Sequence, residues 1–177
     1  MATTFITGSA QKFREVEAVW PGIIRREVDL PEIQSLDPEE IIRHKLEAAR
    51  QLGVVPCLVE DTSLTIADWN GLPGPLIKWF IASLGVAGLA QLALAGGGPV
   101  AAEARTVVGA IDAGGATRFA SGTVSGTIVS PRGEGFGWDA IFEPTGSTKT
   151  FGEMSPAEKA IHSMRVRAIE ALRRRDV

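Results

Sequence analysis

Glu60 and Asp61 stand side by side in V-V-P-C-L-V-E-D-T-S-L-T-I, at the end of an apolar run that begins at Val54. A solvated loop would account for two such acids; a buried strand ending on them would need partners for both charges. Along an extended strand neighbouring side chains point to opposite faces, so the two acids do not grip one ion together. One of them needs a carboxylate from elsewhere in the chain. Glu32, in D-L-P-E-I-Q, is the best candidate, because proline and a short loop hold it stiffly. Cations occur at suggestive places too. In T-G-S-A-Q-K, Thr7 to Lys12, a strand feeds a glycine turn and a helix N-terminus, where free N–H groups favour an anion; Ser9 is equally readable there as an ordinary N-cap. Lys45 falls in the middle of an apolar helix face, where it either snorkels to an edge or meets an anionic partner. Hard oxygen ligands from two separate loops, with lysines nearby, suit Mg²⁺ bound together with a polyphosphate. Two histidines, His44 and His162, are too few for a zinc site.

The elements that must hold these residues can be read from pattern and punctuation. Residues Thr3 to Thr7 form a short buried strand ending at Gly8, followed by a helix from Ala10 to Trp20. A second strand near Ile23 to Val28 precedes a helix over Asp37 to Leu52. That helix opens with an N-cap aspartate and proline at its first position and closes at Gly53. Its apolar face carries Ile41, Ile42, Leu46, Ala48, Ala49 and Leu52, with Arg43, Glu47 and Arg50 opposite. After the loop N-G-L-P-G-P come two helical stretches, Leu76 to Leu84 and Val86 to Leu94, then a G-G-G-P turn. Ala104 to Ile111 and Thr117 to Val129 read as strands joined in a hairpin by D-A-G-G. The run G-E-G-F-G is a loop, not a dinucleotide fingerprint, since its spacing is wrong and no helix follows. Ser155, Pro156 and Glu158 form a capping signature for a helical segment running toward Arg175. Lys159 and Arg165 are six positions apart, about 120° on one helix, so a break near His162 is expected if both line one pocket.

The chain has 177 residues, 45% of them hydrophobic, and a formal net charge of −3. This profile predicts one soluble globular domain spanning 1–177, without the basic stripe of a duplex nucleic-acid binder. The single cysteine, Cys57, lies in an apolar run and reads as a small buried hydrophobe, with no disulfide framework. No window is expected to reach membrane-span length, no signal peptide opens the chain, and a cytoplasmic location follows.

The stretches T-G-S-A-Q-K, D-L-P-E-I-Q, L-V-E-D-T-S-L, G-L-P-G-P-L-I-K-W-F, F-G-W-D and E-K…S-M-R resemble, in order, the motifs of the inosine/xanthosine triphosphate pyrophosphatase family. The match runs from about Phe5 to about Leu172. The resemblance implies an α/β fold with an elongated mixed sheet flanked by helices, in two lobes with a central nucleotide cleft. It implies a homodimer that uses Mg²⁺ to hydrolyse ITP, dITP and XTP to the monophosphate and pyrophosphate; the composition adds the expectation of no nucleic-acid or membrane partner. Carried over by position, Thr7, Gly8, Ser9 and Lys12 hold the triphosphate. Glu32 and Asp61 ligate the metal, and Asp61 activates water. Lys45 and Lys78 resemble the family's phosphate lysines, with Lys12 and Lys45 counted as catalytic beside Asp61. Thr62 is a binding residue, and Phe136, Gly137, Trp138, Asp139, Lys159, Met164 and Arg165 belong to the base and sugar end.

Two positions depart from the family pattern. Ser9 stands where the family has asparagine, and Met164 where it has histidine, so base preference is the least constrained property. Two alternatives follow: a related triphosphate pyrophosphatase with shifted base preference, or a nucleotide-binding regulator without turnover.

Overall fold

The computed structural model describes residues 3–174. In chain order the main elements are β1 (Thr4–Ile6), α1 (Ala10–Val19), β2 (Ile24–Arg26), α2 (Pro38–Gln51), β3 (Cys57–Ile66) and β4 (Pro73–Gly74). They continue with α3 (Ile77–Ala93), β5 (Val100–Ile111), β6 (Thr117–Ile128), β7 (Phe142–Pro144), α4 (Pro156–His162) and α5 (Met164–Arg173). The strands form one mixed sheet in the order β2-β1-β3-β5-β6-β7, with β4 paired to β3. β1 lies parallel to both β2 and β3, whereas β4 and β7 run antiparallel to their neighbours. The chain divides into two compact units. One comprises residues 3–62, 106–122 and 164–174; the other comprises 63–105 and 123–163.

In the first unit the pleat sorts side chains into two cores. Phe5, Leu58, Val108 and Ala120 face α1 and α5, where Val16, Ala168, Ile169 and Leu172 cover them. Ile6, Cys57, Val59 and Val107 point the other way and pack against Ile42, Leu46 and Ala49 of α2. Each buried Val, Leu, Ile or Phe among them contributes about 1.5–3 kcal/mol. Helices therefore cover the sheet on both faces, as the continuous apolar runs of parallel strands require. Helix α5 sits directly on β6 at Gly122, where an added Cβ would lie 2.2 Å from the Met164 carbonyl oxygen and 2.6 Å from the Ala168 nitrogen.

In the second unit, Trp138, Phe142 and Phe151 form an aromatic cluster with ring centroids 5.2–6.1 Å apart. The helical run after the G-L-P-G-P loop breaks where two stretches were expected: Gly85 has φ 69° and ψ 167°, a conformation that favours glycine. By length and composition alone, Ile77–Gly96 is nevertheless long and apolar enough to cross a bilayer, which corrects the expectation that no window reaches that length.

Boundaries moved elsewhere as well. β3 does not end at the acids but continues to Ile66, because Thr62, Leu64, Thr65 and Ile66 suit a strand and β4 pairs with it at Leu64 and Thr65. Leu52, assigned to the apolar face of α2, is the C-cap of that helix and is exposed. The break near His162 is present: α4 stops there, Ser163 is extended, and α5 starts at Met164. Arg175 lies outside the described residues.

Candidate active site

Because β3 runs through Glu60 and Asp61, the pleat sends the two carboxylates to opposite faces of the sheet. Glu60 joins the α1 and α5 side. There it pairs with Lys12 of α1 and accepts a hydrogen bond from Arg165 Nε at 2.8 Å. Arg165, only 4% exposed, also donates to Glu15 Oε2 at 2.6 Å and to Thr62 Oγ1 at 3.3 Å. The Thr62 hydroxyl is 2.8 Å from that of Thr106. Burial by itself would raise the Glu60 pKa, but the Arg165 and Lys12 charges outweigh it and hold the carboxyl well below its usual range. The Glu60 and Glu15 carboxylates hold the Arg165 guanidinium firmly protonated against the effect of burial.

Asp61 takes the α2 side. Lys45, the lysine on the apolar face of α2, is buried and reaches the strand: Nζ donates to the Glu60 carbonyl oxygen at 3.2 Å and lies 3.8 Å from Asp61 Oδ1. The same ammonium sits 2.7 Å from Glu32 Oε1, so the stiff D-L-P-E loop does deliver its acid to Asp61's neighbourhood. Asp61 Oδ2 is buried without a hydrogen-bond partner. Burial pushes its pKa up to about 6; Lys45 opposes that and the neighbouring Glu60 charge adds to it. An orphaned carboxylate oxygen and a second acid, meeting at one lysine, fit a hard divalent cation that fills its shell with water and phosphate oxygens. Among the described residues no three His, Cys, Asp or Glu side chains form a ready-made cage.

At the head of α1, Ser9 Oγ accepts the Lys12 N–H at 3.2 Å, and the Ser9 N–H donates to Thr7 Oγ1 at 3.1 Å. Ser9 is thus the N-cap of α1. Met164 is buried in the first unit. Sequence reasoning missed Glu15, which sits one helical turn after Lys12; the E at i+3 from a phosphate lysine was the available signal.

The second unit carries the remaining candidates. Lys159 Nζ donates to Asp139 Oδ2 at 2.7 Å, and both residues are buried. The same carboxylate oxygen accepts the Phe136 N–H at 2.9 Å, fixing the F-G-W-D loop around Gly137. Lys159 also lies over the Phe151 ring, 5.3 Å from its centroid. The Phe136 ring is 48% exposed, whereas Trp138 is buried, edge-on to Phe142. Of these two aromatics, only Phe136 offers an open face. Lys78, at the start of α3, is exposed with its ammonium 5.5 Å from the Trp79 ring centroid.

This chain is similar to proteins of known name along nearly its whole length. The inosine triphosphate pyrophosphatase of Yarrowia lipolytica is 41% identical, the alignment covering 98% of this chain and 94% of that protein. That of Batrachochytrium dendrobatidis is 39% identical, over 95% of this chain and 90% of its own. The fold matches the Staphylococcus aureus Ham1 protein with a TM-score of 0.77 at 24% identity, covering 98% of this chain and 97% of that one. A model of the Ham1 family matches residues 3–175, which takes in both units and every candidate residue described above. The chain belongs to the Ham1 family.

Proposed function

We propose that this chain is a nucleoside triphosphate pyrophosphatase, acting as one domain over its whole length, that hydrolyses ITP, dITP and XTP to the monophosphate and pyrophosphate. The observation that carries the reading is Asp61: a buried carboxylate with an orphaned oxygen, its pKa raised to about 6, beside Lys45 and Glu32. A base poised there can take a proton from water near neutral pH. Attack on the α-phosphorus makes the monophosphate and pyrophosphate directly, and Lys12 and Lys45 face the growing negative charge on the phosphate oxygens. Glu32 and Asp61 would hold Mg²⁺, which when bound supplies further charge neutralisation and orients the phosphates. Glu60 and Arg165 keep β3 and α5 in register beneath Lys12. Phe136 gives a stacking face for the base, and Lys159 with Asp139 a fixed polar edge.

The cellular part of the proposal is a cytoplasmic homodimer without nucleic-acid or membrane partners. Its mild net charge of −3 is in keeping with a small anionic substrate bound locally rather than a polyanion. Hydrolysis of ITP in ¹⁸O-water tests the chemistry. Label should enter IMP and be absent from pyrophosphate; label in pyrophosphate, or release of inorganic phosphate, would exclude attack at the α-phosphorus.

A further inference from the structure

Arg25 of β2 is bonded to the turn that precedes α1. Its Nε donates to the Thr7 carbonyl at 3.2 Å and its Nη2 to the Gly8 carbonyl at 2.6 Å. The register Phe5↔Arg25 puts the side chain on the sheet face that α1 covers, so the guanidinium lies under the start of that helix. A second backbone bond, Thr7 N–H to the Arg26 carbonyl at 3.1 Å, ties the turn to the same strand. The chain thus spends one rigid fork of donors on two successive carbonyls, a grip that a lysine, with one ammonium centre, cannot reproduce in the same plane.

In a trans peptide the C=O and N–H point in opposite directions. Holding the Thr7 and Gly8 carbonyls toward Arg25 therefore turns the Gly8 and Ser9 N–H groups away from it. The Ser9 N–H is received by Thr7 Oγ1 and the Lys12 N–H by the Ser9 hydroxyl oxygen, which locks the rest of the turn. Glu27, 3.5 Å from Arg25 Nη2, is mostly exposed and competes weakly for the guanidinium. Resting on the reading of Thr7 to Lys12 as the triphosphate-holding segment, we infer that Arg25 is a positioning residue for that segment: it presets the turn's peptide planes and adds a positive charge beneath it. Preorganisation of this kind lowers the ordering cost of binding, so its loss weakens substrate and phosphate-end ligands together.

The test compares the full-length wild type with Arg25→Met and Arg25→Lys. It measures kcat and KM for ITP, inhibition by inorganic triphosphate and by inosine, and melting temperature. Arg25→Met should raise KM for ITP and the triphosphate inhibition constant by about tenfold, with kcat changed less than about threefold and inosine inhibition unchanged. Arg25→Lys should fall between it and the wild type, and carries the test alone if the methionine variant does not fold. Unchanged triphosphate inhibition in a variant that melts like the wild type would overturn the inference. So would equal weakening of inosine, or a lysine variant indistinguishable from wild type. If the wild type fails to cleave ITP, the pyrophosphatase reading falls; calorimetric binding of inorganic triphosphate to the same three proteins still decides the role of Arg25.

Discussion

At the scale of the residue, two adjacent acids have been driven to opposite protonation behaviour by their faces of the sheet. Glu60 sees Arg165 and Lys12 and stays ionised; Asp61 is buried beside one shared lysine and holds its proton up to about pH 6. Asp61→Asn should therefore lower turnover by roughly 10²-fold or more, the usual weight of a general base, while the fold persists; steady-state rates and circular dichroism check this. The same substitution has a stability signature. The folded-state pKa of Asp61 lies above its ordinary value of 3.8, so the favourable contribution of its protonated form is complete below about pH 4 and lost as pH rises through about 6. With chelator present, Asp61→Asn should melt several degrees above wild type at pH 8, a gain worth up to about 3 kcal/mol. The gap should close toward pH 4. A constant gap across that range would mean Asp61 does not carry the shift. Much of this was legible in advance, because a lysine on an apolar helix face and an acid after a stiff proline are both costly unless they meet something. Which acid would take which face was not, since the register of β3 decides it.

Among the elements, β3 shows best what pattern reading misses. An apolar run ending in E-D looks like a strand terminus, yet the strand continues through T-S-L-T-I because β4 pairs with it at Leu64 and Thr65. Local punctuation carries no information about a pairing partner, and so the acids' mid-strand position was hidden. Breaks written in the backbone were readable: Gly85 interrupts α3 and Ser163 separates α4 from α5. The seat of α5 on Gly122 leaves no mark in sequence beyond a glycine in a strand. Gly122→Ala would force the Met164 carbonyl and the Ala168 nitrogen outward and carry Arg165 with them. The expected cost is about 1–3 kcal/mol, read as a lowered denaturation midpoint. Glu60→Gln should cost about 3 kcal/mol or more by leaving the buried Arg165 with Glu15 as its remaining carboxylate partner and Lys12 without Glu60's charge. Its deficit should shrink below about pH 4.5, where an ionised Glu60 begins to lose its advantage, whereas Asp61→Asn is a gain that is largest at high pH.

For the whole molecule, six motifs in order resembled those of one family, and the match across residues 3–175 bears that out. The exposed apolar surface of α3, with Trp79, Leu84 and Leu92 open, was not foreseen, because apolar helices are ordinarily read as core. Base preference rests on less. Arg165 is engaged by Glu60, Glu15 and Thr62, and Met164 is buried. In the proposed reading, donors facing O6 of a 6-oxopurine would be set against the adenine amino group, and Phe136 would supply the stacking face. The most direct measurement is kcat/KM for pyrophosphate release from ITP, XTP, GTP and ATP with Mg²⁺ on the wild-type chain. ITP and XTP should stand about tenfold or more above ATP, and all four rates should be nearly lost in Asp61→Asn. An ATP preference, or equal rates with and without Asp61, would contradict the proposed function.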